Sequence, residues 1–259
     1  MKIHALLVCL LALFLIAPVA QASASRPAPS IVGGVDVQPG ELPFLVSLQN
    51  KKYGHICGGS LITPEWVLTA AHCIDLKDPT FRIVVGAFQL SAKDGETFEA
   101  DQIYVHPKFK GWASGGSDLA LIHLKGSSKF APIRLNQDVV TMTSFSNFTI
   151  AGWGYTESSQ LATDRPLKTD VPLVSDSTCR STYVSIDDTM FCAGFARGGH
   201  DSCQGDSGGP LFVRQLTGAP LLVGVVSWGL GCGVKNKYGV YANVSYLQAW
   251  IRQYLPQSL

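Results

Sequence analysis

Asp201-Ser202-Cys203-Gln204-Gly205-Asp206-Ser207-Gly208-Gly209-Pro210 is the stretch on which the fold turns. It sets one serine among glycines, with two aspartates and a cysteine close by. Glycine accepts backbone conformations with positive φ and lets another molecule come close. A turn built this way can aim successive backbone N–H groups into one hollow. A serine there is placed to attack a carbonyl while those N–H groups hold the oxyanion that forms. The plain alternative is a glycine- and proline-rich surface turn, and the rest of the chain decides between the two.

Gly205-Asp206-Ser207-Gly208-Gly209 also satisfies the G-x-S-x-G pattern of the α/β-hydrolase nucleophile elbow. An elbow needs a helix after the serine, and its acid and histidine follow the serine in the chain. Here Gly208, Gly209 and Pro210 lead into the strand-like Leu211-Phe212-Val213, and no histidine, aspartate or glutamate occurs beyond Ser207. The elbow fold is therefore excluded, and any base and acid lie upstream.

Upstream the pattern is mostly strand-like. Phe44 to Leu48, Ser60 to Ile62, Trp66 to Thr69, Phe81 to Val85 and Leu119 to Ile122 are short apolar or alternating runs between turn residues. Phe148 to Ala151, Leu211 to Val213, Leu221 to Val226 and Gly239 to Ala242 repeat the style in the second half. The spacing predicts an all-β sandwich or barrel. A single helix is expected over Tyr246 to Leu255, with Tyr246, Trp250 and Tyr254 on one face beside Leu247 and Ile251. Ser245 is the expected cap. No repeat relates the halves, and the polar stretch Asp138 to Asn147 reads as the joint between them.

With 259 residues, 46% hydrophobic and 15% charged, the chain can bury a sizeable core and is not disordered. A formal net charge of +1 gives no reason to expect nucleic acid or an anionic membrane as partner. Lys2, the apolar run Ala5 to Ala17 and the small-x-small patterns at Ala20 to Ala24 read as a secretory signal peptide over residues 1–24. The run is short for a bilayer span. Residues 25–30 form a polar, proline-containing linker. Cys9 falls in the leader, which leaves Cys57, Cys73, Cys179, Cys192, Cys203 and Cys232. An even set in an exported chain points to disulfides but does not pair them. Zinc is disfavoured, because no Cys-x-x-Cys occurs and only Cys73 has an adjacent histidine. Asn147-Phe148-Thr149 and Asn243-Val244-Ser245 are glycosylation sequons.

Among the upstream histidines, His72 closes the apolar stretch Val67 to Ala71 and abuts Cys73, which can hold its backbone still. A general base needs such fixing. His55, His106, His123 and His200 lie in polar turns or strand patterns and read as structural or solvated. Asp118 follows Gly115-Gly116-Ser117 and opens the apolar run Leu119 to Ile122, where a carboxylate needs a partner. Many other aspartates are available, so spacing alone leaves that assignment open.

Four segments together resemble the chymotrypsin-like serine proteases, trypsin-like subgroup. They are Thr69-Ala70-Ala71-His72-Cys73, Ser117-Asp118-Leu119-Ala120-Leu121, Gly205 to Pro210 and Ile31-Val32-Gly33-Gly34. The order histidine, aspartate, serine also matches that family, and the likeness covers residues 31–259. The resemblance implies two antiparallel Greek-key β-barrels with a C-terminal helix, over 31–140 and 141–259, with the site between them. It implies Ser207 as nucleophile, His72 as base, Asp118 as its partner, and the N–H groups of Gly205 and Ser207 as oxyanion hole. It implies the pairs Cys57–Cys73, Cys179–Cys192 and Cys203–Cys232.

Asp201 takes the position of the specificity-pocket floor, with Ser202, Ser227, Trp228, Gly229 and Gly239 around it. Cleavage after Arg or Lys is the implied activity. Ile31 matches the family's mature N-terminus, whose freed amine pairs with Asp206. Digestive trypsinogens carry a basic residue before that isoleucine; here Ser30 stands there and Pro27 follows Arg26, so an activating protease of other specificity is expected. Ala87 after Gly86 replaces the glutamate that opens the trypsin calcium loop, so no metal is expected despite Asp94 and Glu96. The implied protein is a secreted monomer without cofactor, acting on polypeptide substrates and open to protein inhibitors. Non-catalytic binders on this fold usually lack a triad residue, whereas this chain keeps all three.

Overall fold

The computed structural model describes residues 31–74, 81–111, 116–137, 145, 147–155 and 161–255. The leader and linker readings over 1–30, and most of the joint at 138–147, lie outside the described residues. The strands in chain order are β1 (Val35–Asp36), β2 (Leu45–Asn50), β3 (Gly54–Thr63), β4 (Trp66–Thr69), β5 (Phe81–Val85), β6 (Glu96–Phe98), β7 (Ala100–Val105) and β8 (Ala120–Leu124). They continue with β9 (Arg134–Leu135), β10 (Asn147–Gly152), β11 (Leu167–Pro172), β12 (Met190–Ala193), β13 (Pro210–Arg214), β14 (Pro220–Trp228) and β15 (Gly239–Asn243). Helix α1 (Asp176–Thr182) lies between β11 and β12, and α2 (Val244–Ile251) follows β15.

These strands form two curled sheets. The first runs β6-β5-β2-β3-β4-β8-β7, antiparallel throughout, and β5 also approaches β7 so that the sheet bends back on itself. The second runs β1-β11-β10-β13-β14-β15-β12, also antiparallel, and β9 joins β14 as a parallel pair. The all-β expectation thus holds, with two half-barrels and a short C-terminal helix. The strand β4, Trp66 to Thr69, is buried at every position, while β11 alternates Leu167, Thr169 and Val171 inward with Lys168 and Asp170 less covered.

The larger core crosses the seam between the sheets. Phe44, just before β2, meets Phe212 of the second sheet edge-on, ring centres 5.6 Å apart, and both are fully buried. Leu247, Trp250 and Ile251 of α2 belong to this same core. The helix starts two residues earlier than expected and its regular part stops at Ile251. Its cap is Asn243, not Ser245: Asn243 accepts from the Tyr246 N–H, and the Ser245 hydroxyl donates to Asn243 instead. The strand β15 runs up to Asn243, so the chain leaves extended geometry there and the first free N–H groups face that side chain. The helix α1 was not expected. It carries no apolar stripe, burying only Cys179, and Ser175 caps it.

Candidate active site

Strand β4 delivers Ala70 to a short 3₁₀ turn, Ala71–Cys73, which presents His72. The Cys57–Cys73 disulfide ties that turn to β3. Asp118 stands before β8, 3% exposed. Its Oδ2 accepts from His72 Nδ1 at 2.7 Å and its Oδ1 accepts from the His72 backbone N–H at 3.0 Å. The Ser227 hydroxyl donates to the same Oδ2 at 2.5 Å. An aspartate entering a strand would carry a heavy desolvation cost if left alone, and these three donors offset it. An imidazole that donates from Nδ1 keeps Nε2 as its basic nitrogen.

Ser207 comes from the second sheet's glycine turn, just before β13. Its carbonyl accepts from the Gly58 N–H at 2.7 Å and lies 3.5 Å from the Cys73 sulfur, one residue from His72. Gly208 makes that approach possible: its φ is +79°, and a Cβ there would stand 2.2 Å from the Thr69 hydroxyl. Neither the Gly205 nor the Ser207 N–H donates to any group among the described residues. The Gly205 carbonyl accepts from His55 Nε2 at 2.9 Å. Burial lowers the His55 ring to about 4, so it is neutral; with Nε2–H donating, Nδ1 accepts from the Ser47 hydroxyl at 2.7 Å. His55 is structural as expected, but the structural part it plays is to hold the turn that carries Ser207. Nothing in its spacing signals that, nor does spacing signal Gly58 or Thr69.

Beside Ser207 lies a cavity of about 110 Å³, lined by Asp201, Ser202 and Gln204 and by Ser227, Trp228, Gly229 and Gly239. Asp201 is 5% exposed. Its carboxylate accepts from the N–H groups of Ser202 and Gly233, both at 2.9 Å, and no cationic side chain pairs with it among the described residues. Burial pushes its carboxyl up to about 6, against those two N–H bonds. A Cβ on Gly239 would stand 2.6 Å from the Tyr241 hydroxyl and 2.9 Å from Asp201 Oδ1, so any side chain there would intrude on the carboxylate. Trp228 meets Tyr183 edge-on at 5.0 Å, and the Tyr183 hydroxyl is locked between the Tyr238 carbonyl and N–H.

Ile31 is fully buried, and Val32 bridges to Asp201. Ile31 has a φ of +50°, which a β-branched residue adopts only under strain. Asp206 is also fully buried, bonded to the N–H groups of Gly154 and Cys203, and burial raises its carboxyl to about 7. The other two disulfides are Cys179–Cys192 and Cys203–Cys232, the latter closing the loops round the cavity. Each bridge typically adds about 2–4 kcal/mol. Asp94 accepts from the N–H groups of Phe88 and Gln89 in its own loop, and Glu96 accepts from the Ser128 hydroxyl and the Lys129 N–H of a distant one. Among the described residues, the one close His/Cys cluster is Cys57, His72 and Cys73, whose sulfurs are spent on their disulfide.

Two curled antiparallel sheets meeting at such a seam are the architecture of the chymotrypsin-like serine endopeptidases, and this chain is an enzyme of that class. It belongs to the trypsin family: the family model Trypsin matches residues 31–251. It is 40% identical over 237 residues to Trypsin-1 of Astacus astacus, covering 86% of this chain and 98% of that one. It is 37% identical over 238 residues to Trypsin 5G1 of Aedes aegypti, covering 89% and 87%.

Proposed function

We propose that this enzyme is exported, matures by cleavage before Ile31 and hydrolyses peptide bonds after Arg or Lys. Ser207 Oγ attacks the scissile carbonyl and passes its proton to His72. Asp118 holds the ring's tautomer and stabilises the imidazolium. The N–H groups of Gly205 and Ser207 bind the oxyanion. His72 then protonates the leaving amine, and water releases the acyl group from Ser207 by the same steps in reverse.

The observation that carries the specificity is Asp201. A buried carboxylate lining a cavity that opens to the surface is satisfied best by a long cationic side chain, and Gly239 leaves the path to it open. Maturation rests on Ile31 and Asp206, a buried chain segment and a buried carboxylate in the same half of the molecule. A new α-ammonium at Ile31 would supply the cation that Asp206 needs. Because Ser30 precedes Ile31, that cut requires a second protease of different specificity.

The test is a peptide panel cleaved by protein matured at Ile31. Arginyl and lysyl substrates should exceed neutral ones by at least about a thousandfold in kcat/KM. Asp201→Ser should erase that margin while a fluorophosphonate still labels Ser207. An Asp201→Ser variant that still cut arginyl substrates at the original rate would overturn the pocket assignment. Failure of Ser207 to label would overturn the nucleophile.

A further inference from the structure

Ser117, directly before Asp118, is 3% exposed and has a φ of +59°. A serine seldom adopts that left-handed conformation, and it persists only where the surroundings impose it. The surroundings here come from the other sheet. The Ser117 N–H donates to Thr189 Oγ1 at 2.8 Å. Thr189 closes the turn that leads into β12, and its hydroxyl proton goes to Asp187 Oδ1. The same carboxylate oxygen accepts from the Thr189 N–H at 2.9 Å. The hydroxyl is therefore oriented, with its proton engaged and a lone pair facing Ser117. The turn itself is anchored, since the Thr189 carbonyl accepts from the N–H of Asn243, the cap of α2. It also lies against the chain before Ser117: a Cβ on Gly116 would stand 2.4 Å from Asp187 Oδ2.

The backbone on either side of Asp118 closes on itself, the Leu119 N–H donating to the Ser117 carbonyl at 2.8 Å. Turning the Ser117 peptide therefore turns Asp118. Its carboxylate is already held from the second sheet by Ser227. Ser227 and the His72 backbone N–H hold the carboxylate itself, whereas the bond from Ser117 to Thr189 acts on the backbone that carries it and sets its angle of approach.

We propose that Thr189, braced by Asp187, is a positioning residue that aims the Asp118 carboxylate at His72 from across the seam. This rests on the roles given above to His72, Asp118 and Ser207. It predicts a loss in turnover with substrate binding spared, because Asp201 and its cavity lie on other segments. Thr189→Val keeps the shape and removes the acceptor. It should lower kcat about tenfold, as small displacements of a catalytic group do. KM and the Kd for benzamidine, a small arylamidinium, should stay within about twofold of the parent. Thr189→Ser restores the hydroxyl and should restore kcat to within about twofold of the parent. Asp187→Ala, at an exposed position, should cost about threefold in kcat and decides the matter alone if the valine variant does not accumulate.

Parental kcat in both Thr189→Val and Asp187→Ala would overturn the proposal. So would a serine variant as impaired as the valine one, or a kcat loss matched by an equal loss of benzamidine affinity. Asp118→Asn, assayed alongside, separates the two layers. Full turnover in that variant would sink the underlying assignment of the triad rather than the clasp.

Discussion

In the proposed pocket, the surroundings of Asp201 would set both what it binds and when. Burial raises its carboxyl to about 6, and the N–H groups of Gly233 and Ser202 hold it from going higher. Above that pH the free enzyme presents a buried negative charge; below it, a neutral acid. A cation entering the cavity gains most from the charged form, so its binding must weaken as the acid takes up a proton. The Kd of benzamidine should be flat above about pH 6 and rise about tenfold for each pH unit below it. Isothermal titration across pH 4.5 to 8 reads this directly, and binding is measured so that the pH dependence of turnover does not enter. A flat profile over the whole range would mean that this carboxylate is not the group the cation meets.

The helix α2 shows what an element adds beyond its own residues. It ends the second half of the chain yet inserts Trp250 into the core that crosses the seam, with the His106 ring edge-on at 4.8 Å. Tyr254, just past it, lies 4.2 Å from the ring of Tyr104 in the first sheet. Removing a buried tryptophan side chain typically costs roughly 3–5 kcal/mol. In a protein of this size Trp250→Ala should lower the Tm by roughly 10 °C, and Trp250→Phe should recover much of it. Scanning calorimetry checks this, and a fall below about 3 °C would make the helix a passenger. That helix was legible because its apolar residues recur at helical spacing. The helix α1 was not, since a disulfide and a serine cap hold it where no stripe exists. Strands rich in Val, Ile, Leu and Phe were likewise legible. The mixed strands β7 and β11 were not, because β7 buries no position fully and β11 places Thr169 between Leu167 and Val171 on its inward face. The same divide runs through the site. His72 stood out because it ends an apolar run; Asp118 opens one but was a single choice among many aspartates until the family resemblance pointed to it, and the two do meet. His55 and Thr189 act through partners some 150 and 72 positions distant in the chain, and no local pattern records such a meeting.

At the scale of the whole molecule the question is what an uncut chain does with a carboxylate that, among the described residues, no cationic side chain neutralises. Asp206 is fully buried, and burial lifts it from 3.8 to about 7, with the nearby charge of Asp201 adding to the rise. An acid whose folded value lies above its unfolded one favours the folded chain only while protonated. The penalty therefore begins as pH climbs past about 4 and is complete above about 7. Asp201 adds a penalty of the same sign that is complete above about 6, and it does so whether or not the chain is cut. The difference between the two forms isolates Asp206. In the proposed mature form the Ile31 ammonium offsets the charge, so the ionised carboxylate becomes an asset. The uncut chain, carrying Ser207→Ala so that it cannot act on itself, should lose Tm steadily from pH 5 to about pH 7 and level off above it. The same variant released at Ile31 by a site-specific protease should lose much less, so that the gap between them widens with pH. Asp206→Asn in the uncut chain should flatten its curve to the level set by Asp201. If the cut and uncut forms instead gave parallel curves across this range, the amine of Ile31 would have no part in neutralising Asp206, and the buried isoleucine would be packing alone.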